Sequence, residues 1–153
     1  MKAMKKLTIF YSLLAVISLN SCNKTTPDPI PAPENIMNVL TTNAWKMDKI
    51  TDLNGNAINV DLLPAQTKAF FGVNIQFSGD KTVRAIDPIA RRVESGGTWD
   101  LIENNKTLYI DLTKDFKGNY PINKLTRSNM SLRNTMEMNG LKFEVNLELI
   151  PAL

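Results

Sequence analysis

LKFEVNLEL, residues 141–149, carries apolar side chains at every odd position and polar ones at every even position. Successive side chains of an extended chain point to opposite faces, so this period of two marks a β-strand with one dry and one wet face. Asn139-Gly140 stands directly before it. That dipeptide readily supplies the left-handed residues of a tight hairpin. Residues 129–135, with Met130 and Leu132, form the expected partner strand.

Working back towards the N-terminus, the same pattern recurs. Residues 120–125 and 106–112 read as strands, the second aligning Leu108, Ile110 and Leu112. Glu103-Asn104-Asn105 is the turn before it. Residues 97–102 place Trp99 and Leu101 on one face. Residues 82–87 and 73–78 pair across Gly79-Asp80-Lys81, with Phe77 directed inward. Residues 45–52 (WKMDKITD) alternate imperfectly, and Asn54-Gly55 gives a second hairpin signal. Residues 88–95 read as a loop. Short helices are expected near 35–41, after Pro33, and near 64–71, between Pro64 and Gly72. About eight strands with hairpin-length connections leave little room for parallel crossovers. The expected fold is all-β: an antiparallel up-and-down meander, closed into a barrel or folded as a sandwich.

The N-terminus reads as an address. Lys2, Lys5 and Lys6 precede the uncharged apolar run LTIFYSLLAVISL at residues 7–19. These are the n-region and h-region of a secretory signal. The run is 13 residues long, short of the ~20 that a membrane-spanning helix needs. Leu19-Asn20-Ser21-Cys22 follows and resembles a bacterial lipobox. The resemblance implies cleavage before Cys22, diacylglycerol on its thiol and acylation of the new amine. Two or three acyl chains anchor firmly where one does not. Residues 1–21 are thus the expected signal peptide. Residues 22–34 are the expected lipidated cysteine and spacer, with Pro27, Pro29, Pro31 and Pro33 stiffening the chain. Residues 35–153 form the expected domain. Asn23 follows Cys22, where an Asp would imply inner-membrane retention. The expected location is therefore the outer membrane, on either face.

Taken together, the lipobox, the Pro-rich spacer, Leu40 and Trp45, the IQFSGDKTV hairpin, Gly97-x-Trp99-x-Leu101 and Tyr120-x-Ile122-x-x-Leu125 resemble the lipocalin-like lipoproteins of Bacteroidetes. The resemblance covers nearly the whole chain, with Asn43-Ala44-Trp45 standing where lipocalins carry Gly-x-Trp. It implies an up-and-down barrel whose inward face is either a packed core or a ligand cavity. Trp45, Phe77, Trp99 and Phe143 are the expected contacts of a small apolar ligand, with Leu101 and Val145 beside them. Equally open is that Trp45 and Trp99 plug one end of the barrel.

Composition narrows the chemistry. The chain is 43% hydrophobic and 22% charged, ordinary for a globular protein. Three of its 18 basic residues lie in the signal segment, leaving 15 against 15 acidic residues, so no basic stripe for nucleic acid is expected. With no His and one Cys, imidazole catalysis, internal disulfides and Cys/His zinc sites are excluded. The Asp52-Leu53-Asn54-Gly55-Asn56 segment lacks the glycine and glutamate spacing of a calcium loop and reads as a turn. Asp100 with Glu103, and Asp111 with Asp115, are carboxylate pairs lacking a nucleophile. Arg91-Arg92 reads as a solvated loop or an anion contact. No enzyme, cofactor or metal is expected. The expected function is a lipid-anchored envelope lipoprotein that binds a small apolar molecule. The alternative is a non-catalytic interaction module, or an accessory subunit of an outer-membrane assembly, with a protein partner in the envelope.

Overall fold

Alternation at this density requires a sheet whose dry face is hidden, by a second sheet or by curling upon itself, and this chain does the latter. The computed structural model describes residues 33–152 apart from Asn139. It is a closed antiparallel barrel in which each strand pairs with its sequence neighbours and the last pairs with the first. The strands are β1 (Trp45–Thr51), β2 (Asn74–Phe77), β3 (Thr82–Ile86), β4 (Val93–Ile102), β5 (Thr107–Thr113), β6 (Phe116–Leu125), β7 (Met130–Met138) and β8 (Leu141–Pro151). Helix α1 (Pro33–Thr42) precedes β1, and helix α2 (Ala65–Ala69) with a 3-10 turn at Phe70–Gly72 lies between β1 and β2. The all-β, eight-stranded, lipocalin-like barrel is therefore the fold of this chain. The expected signal segment, Cys22 and the expected spacer as far as residue 32 lie outside the described residues, as does Asn139.

Closure is made by β1 against β8, from Trp45 opposite Pro151 to Thr51 opposite Asn146. The register shifts between Met47 and Lys49. This bulge explains the imperfect alternation of residues 45–52. Trp45 and Met47 are buried, Asp48 and Lys49 are exposed, and Ile50 returns to the interior. One extra residue in the strand restores the apolar face that a strict period of two would have lost.

Three local expectations are corrected. Asn54-Gly55 does turn the chain, with Gly55 at φ 86°, but only the single bridge Thr51–Ala57 follows. Asp52 holds this loop, accepting hydrogen bonds from the Asn54 and Asn56 amides at 2.8 Å and from Asn56 Nδ2 at 2.9 Å. Its carboxylate is satisfied within the loop, and those bonds push its pKa below the ordinary value. Second, β4 begins at Val93, inside the expected loop. Third, Phe143 does not face a closed interior. It is 42% exposed on the leading part of β8, beyond the packed core.

Candidate functional site

The two ends of the barrel differ in chemistry. At one end lie the turns after β2, β4 and β6, which read Ser78-Gly79-Asp80-Lys81, Glu103-Asn104-Asn105-Lys106 and Thr126-Arg127-Ser128-Asn129. Helix α1 belongs to this end. It buries Ile36, Val39 and Leu40, and the Trp45 indole donates to the Leu40 carbonyl at 3.0 Å. The Trp99 indole donates to the Ser78 carbonyl at 3.0 Å, Lys81 Nζ sits 4.4 Å from the centroid of the same ring, and Phe77 meets it edge-on at 5.6 Å. Trp45, Phe77 and Trp99 are at most 1% exposed. They shut this end, and none of them lines the clefts described next.

The other end is where β1, β3, β5 and β7 finish. The connection from β1 to β2 crosses it. Leu63 anchors this connection in the core, at 4% exposure. Pro64 opens α2, and Lys68 Nζ donates to the Asp61 carbonyl at 2.9 Å. Phe70 then stacks on Phe116 with centroids 4.5 Å apart, and Phe116 on Tyr120 at 5.1 Å. Burial pushes the Tyr120 phenol up to about 12. Phe70 thus acts as a stopper in the mouth of the barrel. Beneath it remains a void of about 30 Å³ lined by Met47, Phe70, Phe116, Met136 and Leu147, with Thr67, Asp115 and Asn134 at its polar edge.

Beside the stopper the wall is open. β3 pairs with β4 as far as Ile86 opposite Val93, yet β5 pairs with β4 only from Thr98 opposite Asp111 onward. The first residues of β4, Val93–Gly97, therefore have a neighbour on one side only. Gly97 allows the two strands to converge sharply below this gap, since a Cβ there would stand 1.8 Å from the Asp111 carbonyl oxygen. The gap is a cleft of about 360 Å³ floored by Phe70, Val73 and Ala85 and rimmed by Gln66, Glu94, Ser95, Thr113 and Asp115. A groove of about 310 Å³ runs along the opposite flank of α2, past Asn134–Glu137. A third space, about 400 Å³, lies between Asp61-Leu62 and the side chains of Met138, Leu141 and Phe143.

Large apolar side chains are exposed around this mouth. Among the described residues, Leu53, Val60, Leu62, Ile89, Val93, Leu141 and Phe143 are the exposed large apolar ones. All seven sit in the β1–β2 connection, at the β3–β4 loop or at the start of β8. Of the four aromatic residues expected to contact a ligand, the structure brings only Phe143 to the mouth. The mouth residues that sequence reading missed as binding groups are Phe116, Met136 and Asp115. The available signal was apolar residues in connections rather than strands, as at Leu62 and Ile89. Among the described residues, no group of three acidic or cysteine side chains gathers to hold a metal ion. Arg92 is held by Glu94, 2.7 Å from Nη2 and 3.0 Å from Nε. No family model and no curated protein matches this chain.

Proposed function

We propose that this chain is a lipid-anchored envelope lipoprotein whose barrel takes up a small apolar molecule at the mouth crossed by α2, with no catalytic step. The observation that carries the reading is the polarity of the barrel. One end is shut by two indoles and polar turns, while the connections and strand starts at the other carry the exposed large apolar side chains of the described residues, with Leu62, Leu141 and Phe143 lining one cleft and Phe70, Val73 and Ala85 flooring another. Apolar surface left in water is costly, at roughly 25 cal/mol per Å², and concentrated patches mark places where something docks. The interior is packed, so a ligand would enter by replacing Phe70 in the mouth, with α2 as the moving part. The Cys22 tether would hold the domain near a lipid source.

Two experiments test this. The chain from Asn23 onward contains all of residues 33–152, from which the barrel and its core are built. It is expected to bind the neutral dye N-phenyl-1-naphthylamine with a fluorescence rise, and Leu141→Ser/Phe143→Ser is expected to weaken that binding. No dye uptake would refute the capture reading. For the anchor, Cys22→Ser should move the full-length protein out of the membrane fraction. Unchanged membrane retention would refute acylation.

One observation favours the interaction-module reading instead. Ile89 is 93% exposed and Leu62 70%, and they lie on different connections of the rim, a spread suited to a protein surface. Crosslinking in intact membranes that recovers a partner through this rim, with no dye uptake, would favour that reading.

A further inference from the structure

The four spaces around the mouth share one electrostatic feature. Among the described residues their linings contain the carboxylates of Asp115, Glu137, Asp61 and Glu94, the last paired with Arg92, and not one Lys or Arg. This bias is local, because the chain after the signal segment is balanced. Nearby cations are already engaged: Lys68 on the Asp61 carbonyl, Lys117 on Asp111 at 2.7 Å and Arg92 on Glu94 at 2.7 Å, which leaves Asp115 and Glu137, among the described residues, as the carboxylates beside α2 outside these ion pairs. Lys114 is exposed in the β5–β6 turn and lines none of these spaces. Asp115 holds the central position, lining the cleft beside β4, the void beneath Phe70 and the groove on the far side of α2.

We infer that the mouth selects cationic amphiphiles, an apolar stem lying on Val73 and Ala85 where Phe70 gives way, with an ammonium head at Asp115, and rejects fatty-acid-like anions. The inference rests on the capture reading and assigns its ligand class. An apolar floor favours any alkyl chain equally. The head group is then sorted by charge: a carboxylate placed beside Asp115 is repelled, while an ammonium gains an ion pair and finds acceptors on Gln66, Ser95 and Thr113.

The test uses the chain from Asn23 onward, loaded with N-phenyl-1-naphthylamine and titrated with decylammonium, decanoate and decyl maltoside below their micelle concentrations. Decylammonium is expected to displace the dye at least about fivefold more tightly than decanoate in low salt, the size of one partly exposed ion pair. The ratio should shrink as ionic strength rises. Asp115→Asn and, separately, Glu137→Gln should narrow the ratio, whereas Asp48→Asn, which removes the same charge from the outer wall of β1, should leave it unchanged. Using two mouth variants keeps the test decisive if one folds poorly. Equal or tighter binding of decanoate, or a ratio that Asp48→Asn narrows as much as Asp115→Asn does, overturns the inference while leaving capture intact. Failure of the dye and all three amphiphiles to bind overturns both.

Discussion

Two adjacent glycines on β4 should respond oppositely to the same substitution. At Gly97 an added methyl would lie 1.8 Å from the Asp111 oxygen, 2.8 Å from its carbonyl carbon and 3.0 Å from the Leu112 Cα. An ordinary carbon–oxygen contact is about 3.3 Å, so β4 and β5 must part by about 1.5 Å. The obstacle is backbone, so no side chain can swing aside. That separation breaks the first rungs of the ladder beside Thr98 and Asp111. Two hydrogen bonds at about 1 kcal/mol each, plus about 1–2 kcal/mol of overpacking, give a loss of about 3–4 kcal/mol for Gly97→Ala. For a domain of this size the melting temperature should fall by about 10–15 °C. At Gly96 the nearest atom to an added methyl is the Val83 oxygen at 3.9 Å. Gly96→Ala should be neutral or stabilise by about 0.5 kcal/mol, through the lower entropy of the unfolded chain. Thermal and urea unfolding followed by far-UV circular dichroism measure both. If Gly97→Ala unfolds within 1 kcal/mol of the parent, or if the two variants behave alike, the convergence of β4 and β5 is not as described, and neither is the cleft above it.

Other outcomes follow from the same geometry. Trp99→Phe removes the indole bond to the Ser78 carbonyl and weakens the Lys81 contact, so it should cost about 2 kcal/mol in urea unfolding while leaving dye affinity unchanged. Phe70→Ala removes the stopper. It should cost only about 1–2 kcal/mol because the ring is half-buried, and stopped-flow fluorescence should show dye binding becoming faster. Alkaline titration should expose Tyr120. Its folded-state pKa is raised from 10.0 to about 12 by burial, so the unfolded chain loses its proton first. That contribution is complete below pH 10 and is lost between pH 10 and about 12, amounting to roughly 2–3 kcal/mol. Tyr120→Phe should flatten this part of the stability profile, measured by urea unfolding at stepped pH.

The barrel was legible because its information is local. Strict alternation at Leu147 and Leu149, or at Leu108 and Ile110, reports the dry face directly. The bulge in β1 was visible only as an irregularity at Lys49, because its cause is the register against β8 and lies a hundred residues away in the chain. Phe143 misled for a related reason. Alternation gives the face on which a side chain stands but not its height along the barrel, and β8 runs beyond the packed layers. Trp45 and Trp99 left two readings open, plug or ligand contact, because both put an indole on the inner face. Their hydrogen bonds to Leu40 in α1 and to Ser78 in the β2–β3 turn are contacts at the shut end. The mouth was the least legible part. Phe70 and Asp115 come together only when the β1–β2 connection folds across the β5–β6 turn, and no spacing in the sequence encodes that meeting.

Mapping amide chemical shifts during titration of the isotopically labelled chain with N-phenyl-1-naphthylamine would locate the site directly. Perturbations are expected at residues 66–73, 85, 94–95, 113–116 and 134–143, with the turns at 78–81, 103–106 and 126–129 silent. Saturable shifts centred on Trp45, Phe77 and Trp99, or no shifts at any dye concentration, would contradict uptake at the mouth.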